Sequence, residues 1–96
     1  MNPCVYILKC ADSSYYTGST IDMKRRLAQH ERGEGSNHTK KHLPVTLVYM
    51  EQFVSIKDAF KREKQIQGRS RKKKEGLISD NAHLLPELAK CKDRNI

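Results

Sequence analysis

Glu63 stands where a helix should be apolar. Ile56, Ala59, Phe60, Ile66 and Gln67 recur at helical spacing and form a stripe expected to face a core, yet the slot seven residues after Ile56 is a carboxylate. Burying it without a partner is costly. It is therefore either half of a salt bridge to a lysine at the core's edge or a metal ligand at the rim of a cleft, and the pattern leaves both open. Arg26 and His30 are spaced i, i+4 and share one helix face. Leu27 and Met23 point that helix at the core, so Arg26 and His30 flank the buried stripe. A guanidinium grips a phosphate through two parallel hydrogen bonds, and an imidazole exchanges protons near neutral pH. Tyr6, Tyr15 and Tyr16 add phenols, which titrate near about pH 10 and make poor bases unless a metal or a cation lowers that value. Each of these residues also has an ordinary structural use, the tyrosines above all in packing a small sheet.

These side chains meet only if the elements place them together. Residues 3–9 are β-branched and aromatic and read as a strand, 11–14 as a turn, and 15–19 as a second strand, which makes a hairpin. If strand partners sum to 24, Tyr6 faces Gly18, Leu8 faces Tyr16, and both tyrosines share one side; a sum of 25 separates them. Asp22 can cap a helix over Met23–Arg32 that stops at Gly33. Glu34–His42 reads as a polar loop, and residues 45–50 as a third strand. Ser55 opens a helix in S-x-x-D form that runs to Gln67 before Gly68. Ser70 caps another through Ile78, and Asp80 starts a last short one near Pro86. The order is ββαβα with a C-terminal helical tail. The fold class is α+β, a small three-stranded antiparallel sheet flanked by helices, with residues 1–78 as the domain and 79–96 as its tail.

The chain has 96 residues and a formal charge of +8. Residues 1–52 contribute +2 and residues 53–96 contribute +6, concentrated at Arg69, Arg71, Lys72, Lys73 and Lys74. Such a cluster suits a polyanion, most simply nucleic acid. The longest apolar run, Val5–Leu8, is too short for a membrane span or a signal peptide, which points to the cytosol. Cys4, Cys10 and Cys91 are odd in number and lack C-x-x-C spacing, so neither a disulfide framework nor a cysteine-rich zinc site is indicated. His38 and His42 lie in the polar loop beside Lys40 and Lys41, with no carboxylate or cysteine at a suitable spacing. They read as exposed histidines along a phosphate path.

Taken in order, Val5-Tyr6-Ile7-Leu8, Tyr16-Thr17-Gly18-Ser19-Thr20, Arg25-Arg26-Leu27 with His30, Leu43-Pro44-Val45, and Ala59 through Ile66 around Glu63 resemble the GIY-YIG nuclease signature. The likeness covers about residues 3–78 and is nearest to the small stand-alone members. Cys4-Val5-Tyr6 replaces Gly-Ile-Tyr, and Ser19 stands where several members carry Lys. The resemblance implies catalytic roles for Tyr6, Tyr16, Arg26 and His30, and one Mg²⁺ or Mn²⁺ ion on Glu63. It implies an enzyme that hydrolyses DNA phosphodiester bonds; the charge pattern adds Lys40, Lys41, Arg69 and Arg71–Lys74 as the docking residues, and a monomer with no membrane partner is expected. Tyr16 is the preferred water-activating group and His30 its assistant. The alternative is a nucleic-acid-binding module on the same fold whose site no longer cleaves.

Overall fold

The computed structural model describes residues 2–81. The expected last helix near Pro86 lies outside them. Three strands, β1 (Cys4–Lys9), β2 (Tyr15–Thr20) and β3 (Thr46–Gln52), form an antiparallel sheet in the order β2-β1-β3. Strand β1 is central and buried on both faces, which is why its alternating positions are all apolar: Tyr6 and Leu8 on one side, Val5 and Ile7 on the other.

Helix α1 (Met23–Glu31) belongs to the first face, where Met23 and Leu27 meet Tyr6, Leu8, Val45 and Leu47. The Asp22 carboxylate caps it by accepting from the Arg25 amide, and Gly33, at φ 79°, provides the left-handed stop. Helices α3 (Ile56–Gln67) and α4 (Arg71–Asn81) cover the second face, where Ile66, Leu77 and Ile78 join Val5, Ile7 and Tyr49. Ser55 caps α3 as its sequence requires. The apolar stripe of α3 is narrower than its spacing suggests. Ala59 and Ile66 are fully buried, whereas Ile56 and Phe60 are 42% and 51% exposed, and Gln67 is exposed as well. In place of apolar packing, Arg62 ties α3 to the sheet: its Nε donates to Glu51 Oε1 at 3.0 Å, an oxygen that also accepts from the Tyr49 hydroxyl at 2.7 Å.

Strand β3 carries a bulge. Ile7 pairs with Tyr49 and Leu8 with Leu47, so Val48 is skipped. Leu47 and Tyr49, two residues apart, therefore point to opposite faces and fill the two different cores. The stretch read as a polar loop contains a short helix, α2 (Asn37–Lys41). It has no apolar periodicity to announce it. Ser36 caps it by accepting from the Thr39 amide, and Thr39 is fully buried against α1. No helix among the described residues is long and apolar enough to cross a membrane.

Candidate active site

The hairpin register sums to 24: Tyr6 stands opposite Gly18 and Leu8 opposite Tyr16. Both tyrosines therefore lie on the α1 face. A Cβ on Gly18 would come within 2.6 Å of the Tyr6 hydroxyl, so the missing side chain is the space that the phenol occupies. From α1, one turn apart, come Arg26 and His30. The ring centroids of Tyr6 and Tyr16 are 6.4 Å apart, those of Tyr6 and His30 5.8 Å, and those of Tyr16 and His30 5.4 Å. The Arg26 guanidinium lies against the Tyr6 and Tyr16 hydroxyls, and its Nη1 donates to the Gln29 carboxamide at 3.1 Å.

His30 is not the surface neighbour that its helix position suggests; it is fully buried. Two features make that possible. Gly35 leaves room for the ring, since a Cβ there would overlap His30 Nδ1. Thr39 supplies a polar partner, its Oγ1 at 2.9 Å from Nδ1. The other ring nitrogen, Nε2, is 2.9 Å from the hydroxyl of Tyr6 rather than that of Tyr16. With the Thr39 hydroxyl donating to the Ser36 carbonyl, the tautomer protonated at Nδ1 lets Oγ1 accept from the ring and Nε2 accept from the Tyr6 hydroxyl. Burial, and then the charge of Arg26, push the imidazole down to about 4. Burial pushes the Tyr6 phenol up to about 12, opposed by the neighbouring guanidinium. At neutral pH both groups are uncharged, as this hydrogen bond requires.

Glu63 comes from the other side of β2. Its helix covers the face that carries Val5, and Ser19 stands opposite Val5 in the ladder. The Ser19 hydroxyl donates to Oε1 at 2.6 Å and the Gln67 carboxamide to Oε2 at 2.8 Å. The same Gln67 nitrogen donates to the Thr17 carbonyl at 3.3 Å, which ties α3 to edge strand β2. Among the described residues Glu63 forms no ion pair, so the lysine salt bridge is not what holds it. It lies close enough for its charge to act on the Tyr6 phenol. The cluster therefore straddles β2 at Gly18, with Tyr6, Tyr16, Arg26 and His30 on one side and Glu63 on the other. From the sequence, Thr39 has no role, Gln67 falls in the core-facing stripe and Ser19 is only a departure from the second motif; none is expected to hold a site residue. Only Ser19 carried a signal, through its place beside the second motif.

An open cleft of about 440 Å³ adjoins Arg26, lined also by Thr20, Ile21, Asp22, Arg25 and Gln29. Lys40 and Lys41 are exposed on α2; Arg69, Lys72 and Lys73 are exposed at α4, where Lys74 is half-buried. Arg71 differs from them. It lies over the Tyr15 ring at 4.6 Å, donates to the Ser13 carbonyl at 2.8 Å and pairs with Glu75 at 3.1 Å, so it fastens α4 to the hairpin.

A family model described as the GIY-YIG catalytic domain matches residues 2–76. A UPF0213 protein of Natronomonas pharaonis is 47% identical over 76 residues, covering 79% of this chain and 89% of its own length. One from Streptococcus pneumoniae is 43% identical over 77 residues, covering 80% and 78%. The solution NMR structure of a UPF0213 protein from Bacillus halodurans superposes with a TM-score of 0.59 at 37% identity, covering 98% of this chain and all of that one. The three-stranded sheet and its flanking helices thus recur in a relative of known structure, and the chain belongs to the GIY-YIG family, among its small UPF0213 proteins.

Proposed function

We propose that the chain is a metal-dependent endonuclease that hydrolyses DNA phosphodiester bonds. The observation that supports this reading is Glu63: a carboxylate across β2 from the tyrosines, near enough for its charge to act on Tyr6, held by two neutral donors and by no cation among the described residues. Ser19 and Gln67 occupy one site on each oxygen, and a carboxylate has about four. The donor set fits a hard divalent cation, Mg²⁺ or Mn²⁺, that keeps most of its waters. Bound there, such an ion would offset charge on the phosphate and acidify a water.

The chain's own residues divide the remaining work. Arg26 grips the phosphate from the cleft side. Tyr16, half-buried and facing Arg26, takes the proton of the attacking water. Tyr6 stays protonated and holds His30 and Arg26 in place. Lys40, Lys41, Arg69, Lys72, Lys73 and Lys74 attract the DNA backbone. One observation favours a second reading, a nucleic-acid-binding module without cleavage: both Glu63 oxygens are already hydrogen-bonded.

Incubation with labelled duplex, single-stranded and branched DNA, in Mg²⁺, Mn²⁺ or EDTA, separates the two. The enzyme cleaves at least one substrate with metal and none with EDTA. Glu63→Gln abolishes cleavage, keeps DNA affinity and lowers stability by no more than about 1.5–3 kcal/mol, the worth of one hydrogen bond to a charged acceptor. Binding without cleavage by the wild type under every condition leaves the module.

A further inference from the structure

Away from the tyrosine cluster, at the tip of the β1–β2 hairpin, three side chains of different chemistry converge. Ligand atoms of Cys10, Asp12 and His38 all lie within 4.8 Å of one another. His42 approaches from the same side, with Nδ1 3.4 Å from Asp12 Oδ2 and its ring 4.9 Å from that of His38. None of the four belongs to the tyrosine cluster, and His38 and His42, expected as exposed histidines on a phosphate path, instead bond to Ser14 and Asp12. The sequence hid the grouping, because Cys10 and Asp12 are separated from the two histidines by a whole strand and helix.

The two segments are already joined by backbone. The Ala11 amide donates to the His42 carbonyl at 2.8 Å, and the turn closes on itself through Cys10 N to Ser14 O at 2.8 Å. The side chains are likewise pre-set. The Ser14 hydroxyl bridges Asp12 Oδ1 at 2.6 Å and His38 Nε2 at 2.8 Å, filling the space between a carboxylate and an imidazole. Cys10 is buried from behind, while Asp12 and His38 are exposed, so the pocket is walled on one side and open to entry on the other.

We propose that Cys10, Asp12 and His38 bind zinc, with His42, which touches Asp12 from outside this group of three, drawn in as the fourth ligand. One thiolate, two imidazoles and one carboxylate are a borderline-soft set that suits Zn²⁺ and not Mg²⁺. Ligand atoms around a tetrahedral zinc lie roughly 3.3–3.8 Å apart, so Cys10, Asp12 and His38 close by about 1 Å as the ion takes the place of the Ser14 hydroxyl, and His42 turns in from its contact with Asp12. The Cys10 thiol gives its proton to solvent on binding. The site is structural, since all four positions are filled by protein. It fastens α2 to the hairpin, and His38 precedes Thr39, the partner of His30 Nδ1. The ion thereby steadies the Thr39–His30–Tyr6 chain from outside it. The site stands whether or not the chain is a nuclease.

Chelator-stripped protein titrated with Co²⁺ and then Zn²⁺ tests this. Wild type takes up one Co²⁺ with tetrahedral ligand-field bands and a sulfur-to-cobalt absorption, Zn²⁺ displaces both, and excess Mg²⁺ displaces neither. Glu63→Gln leaves the spectrum unchanged, which separates this site from the proposed Mg²⁺ site. Cys10→Ser loses the sulfur band. His38→Ala, a surface change that leaves the metal-free melting point where it is, weakens Zn²⁺ binding by roughly tenfold or more. Wild-type protein without a sulfur-to-cobalt band, or with a Zn²⁺ affinity equal to that of His38→Ala, overturns the proposal.

Discussion

The Tyr6 hydroxyl is hydrogen-bonded to His30 Nε2 at 2.9 Å, between residues that are 1% and 0% exposed. A phenol so enclosed, with its pKa pushed up to about 12 by burial, is a fixed donor and not a base. The two tyrosines therefore differ in kind although both sit in nuclease-type motifs. Tyr16→Phe is expected to lower cleavage by about 10²–10⁴-fold, the usual worth of a general base, with little change in melting point. Tyr6→Phe leaves a buried imidazole nitrogen unpaired and is expected to cost about 1–3 kcal/mol of stability. Denaturant melts beside single-turnover rates check the split. Equal stability losses in the two variants count against it.

His30 should reveal its burial through pH. Its imidazole titrates at about 4 in the fold against 6.5 ordinarily. Above pH 6.5 it is neutral folded or unfolded, and its contribution is fully present. As pH falls towards 4, the unfolded chain takes up a proton that the folded chain refuses, so stability drops, by up to about 3 kcal/mol from this group. In an NMR titration the His30 ring resonances are expected to stay still between pH 7 and pH 5. Movement centred near 6.5 would place the ring in water.

How much of this was legible in the sequence depended on whether the cause was local. Asp22 and Ser55 cap their helices with their own side chains, so these could be read directly; the hairpin register could not, because β1 is apolar on both faces and alternation cannot choose between them. Helix α2 could not, because Thr39 is held by His30 rather than by an apolar stripe. His30 itself looked like a flanking residue, since the space under Gly35 that admits its ring exists only in three dimensions. At Glu63 the sequence showed an unexplained charge, but not that a serine across a strand and a glutamine one turn on would hold it. The Phe60 and Ile56 positions were misjudged because helical spacing says which residues share a face, not how much of that face the sheet is wide enough to cover.

Gly18→Ala is the most economical test of the hairpin geometry. The added methyl would meet the Tyr6 hydroxyl at 2.6 Å, Tyr6 Cζ at 2.8 Å and Tyr16 Cε2 at 3.2 Å. Tyr6 lies in a filled core and has little room to retreat. Overpacking of this kind costs about 1–3 kcal/mol, and the displaced phenol would break its bond to His30. A denaturant midpoint equal to that of wild type would mean that the phenol is not seated over Gly18.

The basic residues of α4 should separate into two groups. Lys72→Ala with Lys73→Ala is expected to leave the melting point unchanged and to lower the salt dependence of DNA binding by up to about two phosphates' worth. Arg71→Ala is expected to lower stability by about 1 kcal/mol, through loss of its stacking on Tyr15 and its bond to Ser13. Salt-series binding isotherms paired with thermal melts distinguish docking residues from fastening ones.

The bulge in β3 bears on how the chain can change in length. Val48 has no partner in β1, while Tyr49 and Leu47 on either side of it face Ile7 and Leu8. Excising Val48 would leave every remaining β1–β3 pairing as it stands and every apolar side chain on its present face. Excising Leu47 or Tyr49 would carry the wrong residue into a core. Within the central part of this strand, Val48 is the position at which a single-residue deletion leaves the ladder intact, at the cost of its own packing and of the extra twist that the bulge supplies.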